Sequence, residues 1–148
     1  MYVYDKMIVA LFLLIINILI FINTKEPKEL TEVREKYQIL REHLKKTDNE
    51  KFTVLHDEIP ITAHIRLRGA VGYNSNKGNE IGLCIDGDSN EIFHVLLHEL
   101  AHSTVDEYTH SKEFWSNFKE LRDICVKLGI YQEIPKRTEF CGKHVQDK

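Results

Sequence analysis

The sequence lacks both a surplus of basic residues and an even set of cysteines. Its 20 lysines and arginines against 23 aspartates and glutamates give a formal net charge of −3. The composition therefore gives no basic footprint for nucleic acid, and no added nucleic-acid module is recognisable. The three cysteines, Cys84, Cys125 and Cys141, cannot all pair within one chain. The odd number of cysteines favours a reducing, cytoplasmic environment.

Only one long apolar run is present, at the N-terminus. Residues 7–22 are apolar except for Asn17, and a membrane-spanning helix needs about 17 to 20 such residues. No small-x-small cleavage site follows the run, since residues 22–24 suit signal peptidase poorly. We expect an uncleaved anchor over residues 1–24. A cleaved signal peptide is an alternative, whereas a buried core helix is disfavoured because the remaining chain is too small to surround it.

The strongest chemical signal is the pentapeptide His-Glu-Leu-Ala-His at residues 98–102, within the apolar segment 92–102. Side chains four residues apart share a face of a helix, so His98 and His102 can reach one ion with Glu99 beside them. Neutral imidazoles bind Zn²⁺ without cancelling its charge, and a carboxylate beside a water that the ion acidifies can take its proton. The pattern predicts a zinc peptidase with His98 and His102 as ligands and Glu99 as general base. The alternative is an amphipathic helix with polar surface histidines.

A catalytic zinc site usually has a third protein ligand. His110 is the best candidate, because it lies a short loop beyond His102 and just before Ser111, which can cap the next helix. Nearby carboxylates are the alternatives: Asp106, Glu107, Glu113 and Glu120. The metzincin type of site is disfavoured because it needs a methionine turn after the motif, and the two methionines are Met1 and Met7.

The motif at 98–102, followed by His110-Ser-Lys-Glu-Phe114-Trp115, resembles the minimal zinc-peptidase domain of the WLM and SprT-like families. Residues 78–85 and 139–142 are similar to small WLM-like proteins encoded by large DNA viruses of algae and protists. The resemblance covers about residues 61–145. It implies a zincin-like, minigluzincin-type fold that acts on protein or peptide substrates. The gap between His102 and His110 is longer than the compact spacing common in WLM proteins.

The rest of the chain predicts an α+β fold with a small, antiparallel-containing sheet packed on the metal-binding helix. Residues 29–44 predict an amphipathic helix, residues 52–55 and 61–67 predict strands, and residues 72–85 predict a hairpin that is either a substrate-binding edge or purely structural. The second aromatic-rich helix, 114–128, is expected to pack Phe114 and Trp115 against the metal helix and to end at Gly129. The predicted divisions are an anchor (1–24), a linker and helix (25–50) and a peptidase domain (51–148).

Several side chains have more than one interpretation. His94 lies one turn before His98 and could approach the cleft, and Tyr73 or Tyr108 could donate to a developing oxyanion, although no spacing rule selects either. Cys141 and His144 have a spacing compatible with metal, but no second paired motif supports a structural zinc site.

The expected protein is a membrane-anchored monomer. The lysines and arginine that follow the apolar run outnumber the single Lys6 before it, which by the positive-inside rule places the catalytic domain in the cytoplasm. Two other functions remain open. WLM and SprT-like enzymes include proteases that degrade proteins crosslinked to DNA, a reading that the net charge does not favour. The other is a non-catalytic binding module in which the zinc ion is structural. In that case a fourth protein ligand would complete the coordination of the ion.

Overall fold

The computed structural model describes residues 2–147 and begins with an apolar helix, α1 (Tyr2–Asn23). The window Val3–Asn23 has a mean hydropathy of 2.5, and none of it is buried. The one polar residue of the central run, Asn17, donates its amide to the carbonyl of Leu13 at 2.7 Å, within the helix. By length and composition α1 is a candidate membrane anchor or signal sequence.

The second helix, α2 (Lys28–Lys46), confirms the predicted amphipathic helix. Its apolar face is buried at helical spacing and comprises Leu30, Val33, Tyr37, Leu40 and Leu44. The Tyr37 hydroxyl accepts a hydrogen bond from the Ile59 amide at 3.1 Å. This contact ties the helix to the chain that enters the sheet.

A 3₁₀ helix (Glu50–Leu55) follows, so the predicted strand at residues 52–55 is wrong. The Asn49 side chain accepts a hydrogen bond from the Phe52 amide, and the Thr53 hydroxyl donates to the Glu50 carbonyl. These short-range bonds satisfy the backbone locally. Phe52, at a kink within this segment, and Leu55 are both fully buried.

The central sheet contains β1 (Ile61–His64), β2 (Gly72–Ser75) and β3 (Glu80–Cys84), in the order β1-β3-β2. β1 runs parallel to β3, and β2 pairs antiparallel with it, which confirms the predicted hairpin. The first strand is shorter than the predicted 61–67. Its pairing ends where β3 ends, at His64 opposite Cys84, and Ile65 is already exposed.

Two helices and a second hairpin complete the domain: α3 (Ser89–His102), α4 (Lys112–Lys127), β4 (Thr138–Phe140) and β5 (Lys143–Val145). Helix α3 lies at the centre, in contact with α2, α4, β2, β3 and β5. As predicted, the Ser111 side chain caps α4 by accepting a hydrogen bond from the Phe114 amide at 3.1 Å. The chain leaves α4 at Gly129, whose φ is 72°. The α+β fold class is confirmed.

A disulfide joins Cys84, at the end of β3, to Cys141, in the turn between β4 and β5. It connects the sheet to the C-terminal hairpin across 57 residues of sequence. Cys125 is a buried free thiol. The pairing removes the odd-cysteine argument for a reducing environment. It also excludes Cys141 from metal binding alongside His144, because the ligand would be a free thiolate.

Candidate metal centre

Helix α3 presents the two histidines of the motif on one face. His98 and His102 are half-buried, with ring centroids 5.1 Å apart. The opposite side of the helix is held in the core by fully buried apolar side chains, among them Ile92, Leu96 and Leu100. The helix is thus fixed in rotation, and its histidines are aimed at the cleft.

The loop 103–110 returns the third predicted ligand to these two rings. The Nε2 atoms of His98 and His110 are 2.9 Å apart, and the His110 ring lies 4.9 Å from each of the other two, centroid to centroid. One ligand atom from each histidine lies within 4.8 Å of the others. Among residues 2–147, this is the one such group of three, and it includes none of the carboxylate alternatives. One of these, Glu120, is paired with Lys51 elsewhere.

This donor set fits a zinc ion. Two nitrogens bound to a tetrahedral Zn²⁺ at about 2.0–2.1 Å stand about 3.3 Å apart, close to the 2.9 Å between His98 and His110. Burial, together with the nearby His110 and Lys77 charges, lowers the pKa of His102. The imidazole therefore stays neutral at physiological pH, which is the form that binds metal.

The β2–β3 turn holds the loop that carries His110. The Lys77 ammonium donates to the carbonyls of Val105 and Glu107, the latter at 2.8 Å, and its Nζ lies 4.5 Å from the centroid of the Tyr108 ring. Asn74 donates to the Glu99 carbonyl and to the Ser103 hydroxyl, each at 2.7 Å. Sequence reasoning missed these contacts. The turn-rich stretch 74–79 indicated a turn, but not what its side chains would reach.

Two aromatic residues of α4 surround the rings. Phe114 is fully buried, with its centroid 4.4 to 4.9 Å from those of His98, His102 and His110. This agrees with its predicted packing role. Trp115 is half-buried and lines the cleft, 5.5 Å from the His110 ring. The contacts of Trp115 with His98 and His110 agree with its predicted packing against the metal helix.

Glu99 lies almost buried beside the histidines, with 7% of its surface exposed. Burial raises the pKa of its carboxyl group to about 7. Strand β2 comes very close at this point: a Cβ built on Gly72 would lie 3.2 Å from Glu99 Oε1 and 2.6 Å from Val95 Cγ1. Glycine thus allows the edge strand to approach the carboxylate.

The four predicted site residues line one cavity of about 520 Å³, hereafter the cleft. Its walls are α4 on one side, through Trp115 and Phe118, and β5 together with residues 69–72 on the other. Neither tyrosine considered from the sequence is in this lining. The Tyr73 hydroxyl donates to Glu80, whereas Tyr108 borders a smaller neighbouring pocket that includes Glu99 and His102.

Most of this chain is similar to known proteins. The model of the WLM domain family matches residues 34–147. The uncharacterized protein 136R of Invertebrate iridescent virus 6 is 40% identical over 92 residues, which is 55% of this chain and 51% of that protein. The uncharacterized protein R325 of Acanthamoeba polyphaga mimivirus is 35% identical over 80 residues, 47% of this chain and 41% of that protein. The matched part is thus about half the length of these relatives, or less.

The fold is similar to that of a solved structure, Wss1 from Saccharomyces cerevisiae. The TM-score is 0.51 at 21% identity, over 68% of this chain and 77% of that one. This likeness concerns the fold.

Proposed function

Because the chain belongs to the WLM domain family, we propose that it is a membrane-anchored zinc metallopeptidase that hydrolyses peptide bonds. One observation carries the proposal: three imidazole rings converge within ligand distance of one another, and a nearly buried carboxylate lies beside them in the same cleft. This is the constellation that metal-assisted amide hydrolysis requires.

In this proposal His98, His102 and His110 would hold the ion. A bound zinc ion supplies Lewis acidity, which acidifies water and polarises the substrate carbonyl. Glu99 takes a proton from the attacking water and passes it to the leaving amine. Phe114 restrains the rings through its contacts with all three.

The substrate is a protein or peptide. The half-buried Trp115 and the Lys143 to Gln146 segment give the cleft walls on both sides of the histidines, which suits an extended chain. The protein is expected to act as a monomer. Repair of DNA–protein crosslinks is the second candidate within the family, and the net charge of −3 does not favour it.

A non-catalytic zinc module is the alternative from another class. Structural zinc sites have four protein ligands. Across residues 2–147 the ligand group consists of three histidines, and His110 is solvent-exposed. A zinc ion held by three histidines would keep its fourth coordination position open for water or substrate. This supports a catalytic role for the ion and not a purely structural one.

We further propose that α1 anchors the domain in a membrane, because its whole apolar window is exposed. Two features bear on the side of the membrane on which the domain lies, and they favour opposite sides. The basic residues after α1 favour the cytoplasm, whereas the Cys84–Cys141 disulfide is typical of oxidising compartments. The redox state of this cysteine pair in cells, read together with protease protection of the domain, assigns the side.

The test is a peptidase assay on the full chain in detergent, with metal content measured in parallel. Wild type is expected to cleave a denatured protein and to lose activity with a chelator, and Glu99→Gln is expected to be inactive while binding zinc as wild type does. Glu113→Gln, at an exposed position on α4, is the matched control and should stay active. Full activity of Glu99→Gln would remove Glu99 from the mechanism, and stimulation by added DNA would favour the repair reading.

A further inference from the structure

A fourth histidine, His94, lines the cleft one helical turn before His98. It is 7% exposed and is not a member of the metal-ligand group. Its ring packs edge-on against Phe118, with centroids 5.5 Å apart. The proposed hydrolysis does not use this imidazole.

One edge of the His94 ring is held by a buried polar network. The Nδ1 atom lies 2.9 Å from the Tyr131 hydroxyl and 3.2 Å from Asp147 Oδ1. Tyr131 in turn donates to Asp147 Oδ2 at 2.7 Å, and the Ile134 amide donates to the same oxygen at 2.6 Å. The ring orientation is therefore fixed by residues that follow α4.

The protons in this network can be assigned by elimination. Burial alone would raise the pKa of Asp147, but the hydrogen bonds from His94, the Ile134 amide and Tyr131 together lower it, so the group is a carboxylate. Tyr131 has a single hydroxyl proton, which it donates to Asp147. Neither neighbour has a proton to donate to Nδ1, so Nδ1 carries the hydrogen, with the Tyr131 hydroxyl as its acceptor and the Asp147 carboxylate beside it.

The remaining charges around the network leave this assignment unchanged. Arg122 of α4 places NH1 3.8 Å from Asp147 Oδ1 and NH2 3.6 Å from Glu133. The guanidinium compensates the charge of the buried carboxylate through the same oxygen that His94 contacts, and arginine has no acceptor to offer to Nδ1.

The other ring nitrogen, Nε2, faces the cleft. Within residues 2–147 it has no hydrogen-bond partner, yet it is not one of the polar atoms enclosed without one. Solvent therefore reaches it, and the space that His94 lines is the cleft. In the neutral ring, with hydrogen on Nδ1, Nε2 is a hydrogen-bond acceptor.

We propose that His94 is a specificity-determining residue, whose Nε2 accepts a hydrogen bond from a hydroxyl or amide side chain of the substrate residue next to the scissile bond. Asp147 and Tyr131 are positioning residues that hold the ring and its tautomer. The inference rests on the proposed peptidase function, because it assigns a substrate preference to the same cleft.

The surroundings of His94 make such a preference strong. Phe118 packs against the ring, and Val95 and Val145 are further apolar residues of the cleft lining. An aliphatic side chain inserted there would displace water from Nε2 and leave a buried acceptor unpaired. Threonine and valine have nearly the same shape, so comparing them isolates the hydrogen bond.

The first measurement is the cleavage profile of the full-length wild type on a peptide library derived from a digested proteome. Serine, threonine, asparagine and glutamine should be enriched at one position beside the cut. In peptides taken from this profile, the threonine form should exceed the valine form in kcat/KM by about tenfold or more. Affinities of the same pair for the inactive Glu99→Gln protein should show the same order without turnover.

The variants then assign the preference to His94. In His94→Leu the threonine-to-valine ratio should fall to about one, whereas His94→Gln, which keeps an acceptor, should retain part of it. His43→Leu, at a half-buried histidine on α2, is the matched control and should keep the wild-type ratio. Zinc content shows whether each variant still has an intact metal centre.

The outcomes separate the two proposals. Cleavage with equal use of threonine and valine overturns the role of His94 and leaves the peptidase function standing. A preference that persists unchanged in His94→Leu also overturns it. Complete absence of cleavage by zinc-loaded wild type overturns the peptidase function, and the inference falls with it.

Discussion

The Nε2 atoms of His98 and His110 lie 2.9 Å apart, although 12 positions separate these residues in the sequence. The first is set by the helical face of α3. The second depends on an exposed loop that must turn back, and on the capped start of α4 immediately after it. The metal centre thus joins one rigid ligand pair to one ligand whose position depends on more distant contacts.

Removing His110, the ligand that the loop carries, should therefore weaken zinc binding severely. Loss of an outer-shell partner costs about 10- to 100-fold in metal affinity, and His110→Ala removes a ligand itself, so a larger loss is expected. Competition titration against a chromophoric chelator measures it. His144→Ala, at an exposed histidine on the rim of the cleft, should bind zinc as wild type does. Unchanged affinity of His110→Ala would exclude this residue as a ligand.

Lys77 should influence zinc binding without touching the metal. Its ammonium holds two carbonyls of the 103–110 loop, so Lys77→Met frees the segment that presents His110. We expect zinc affinity to fall by about tenfold in the same titration. Lys119→Met, at an exposed position on α4, is the control. Equal affinities of the two variants would mean that the loop holds its position without Lys77.

The ionisation of Glu99 predicts a pH dependence for the metal-free protein. Its pKa rises from an ordinary 4.5 to about 7 on folding, so between these values the folded state binds more protons than the unfolded state. Stability should therefore fall as pH rises through this window, by up to about 3 kcal/mol. In Glu99→Gln this contribution is absent.

Urea unfolding at several pH values, with EDTA present, measures the effect. Other titrating groups are common to both proteins, so the difference between their free energies of unfolding isolates Glu99. From pH 4.5 to 7, Glu99→Gln should become increasingly more stable than wild type. Above pH 7 the difference between the two free energies of unfolding should level off. Parallel pH profiles would show that burial does not raise this pKa.

The disulfide should stabilise the oxidised domain. Breaking a crosslink that spans 57 positions costs about 2–4 kcal/mol of unfolding free energy. Cys141→Ser should show this loss and should be insensitive to reductant, whereas wild type should lose the same amount only when reduced. A reductant effect of equal size in Cys141→Ser would assign the loss to something other than this bond.

Charged substitutions in α1 test whether this helix anchors the protein in a membrane. A lysine at the centre of a membrane helix costs about 2.5–3.5 kcal/mol, so the double variant Leu13→Lys, Ile18→Lys should move the protein from the membrane to the soluble fraction. Leu13→Ala, Ile18→Ala is the matched control and should stay in the membrane. A mature N-terminus beyond Asn23 in wild type would instead identify α1 as a cleaved signal peptide.

Features with a local period were predictable from the sequence. The spacing from Leu30 to Leu44 indicated α2, and the four-residue spacing of His98 and His102 placed both rings on one side of α3. The 3₁₀ helix was misread because residues 52–55 are too few to show a period, and the Asn49 cap decides their backbone.

Contacts between distant segments were not predictable in this way. Nothing near Lys77 in the sequence shows that it reaches the carbonyls of Val105 and Glu107, because this depends on how the β2–β3 turn lies against the loop. The Cys84–Cys141 bond likewise depends on the β4–β5 hairpin returning to the end of β3. An odd cysteine count indicates that one thiol stays free, but not which.

Gly72 stands where the edge strand passes Val95 and Glu99 with room for no more than a hydrogen atom. In a saturation mutagenesis of this chain, position 72 should therefore tolerate substitution as poorly as the histidines do, although it carries no reactive group. Even alanine would have to push the strand outward or displace the Val95 side chain, and its methyl group would crowd the Glu99 carboxylate at 3.2 Å. The choice of residue in the sheet is in this sense dictated by two side chains of the neighbouring helix.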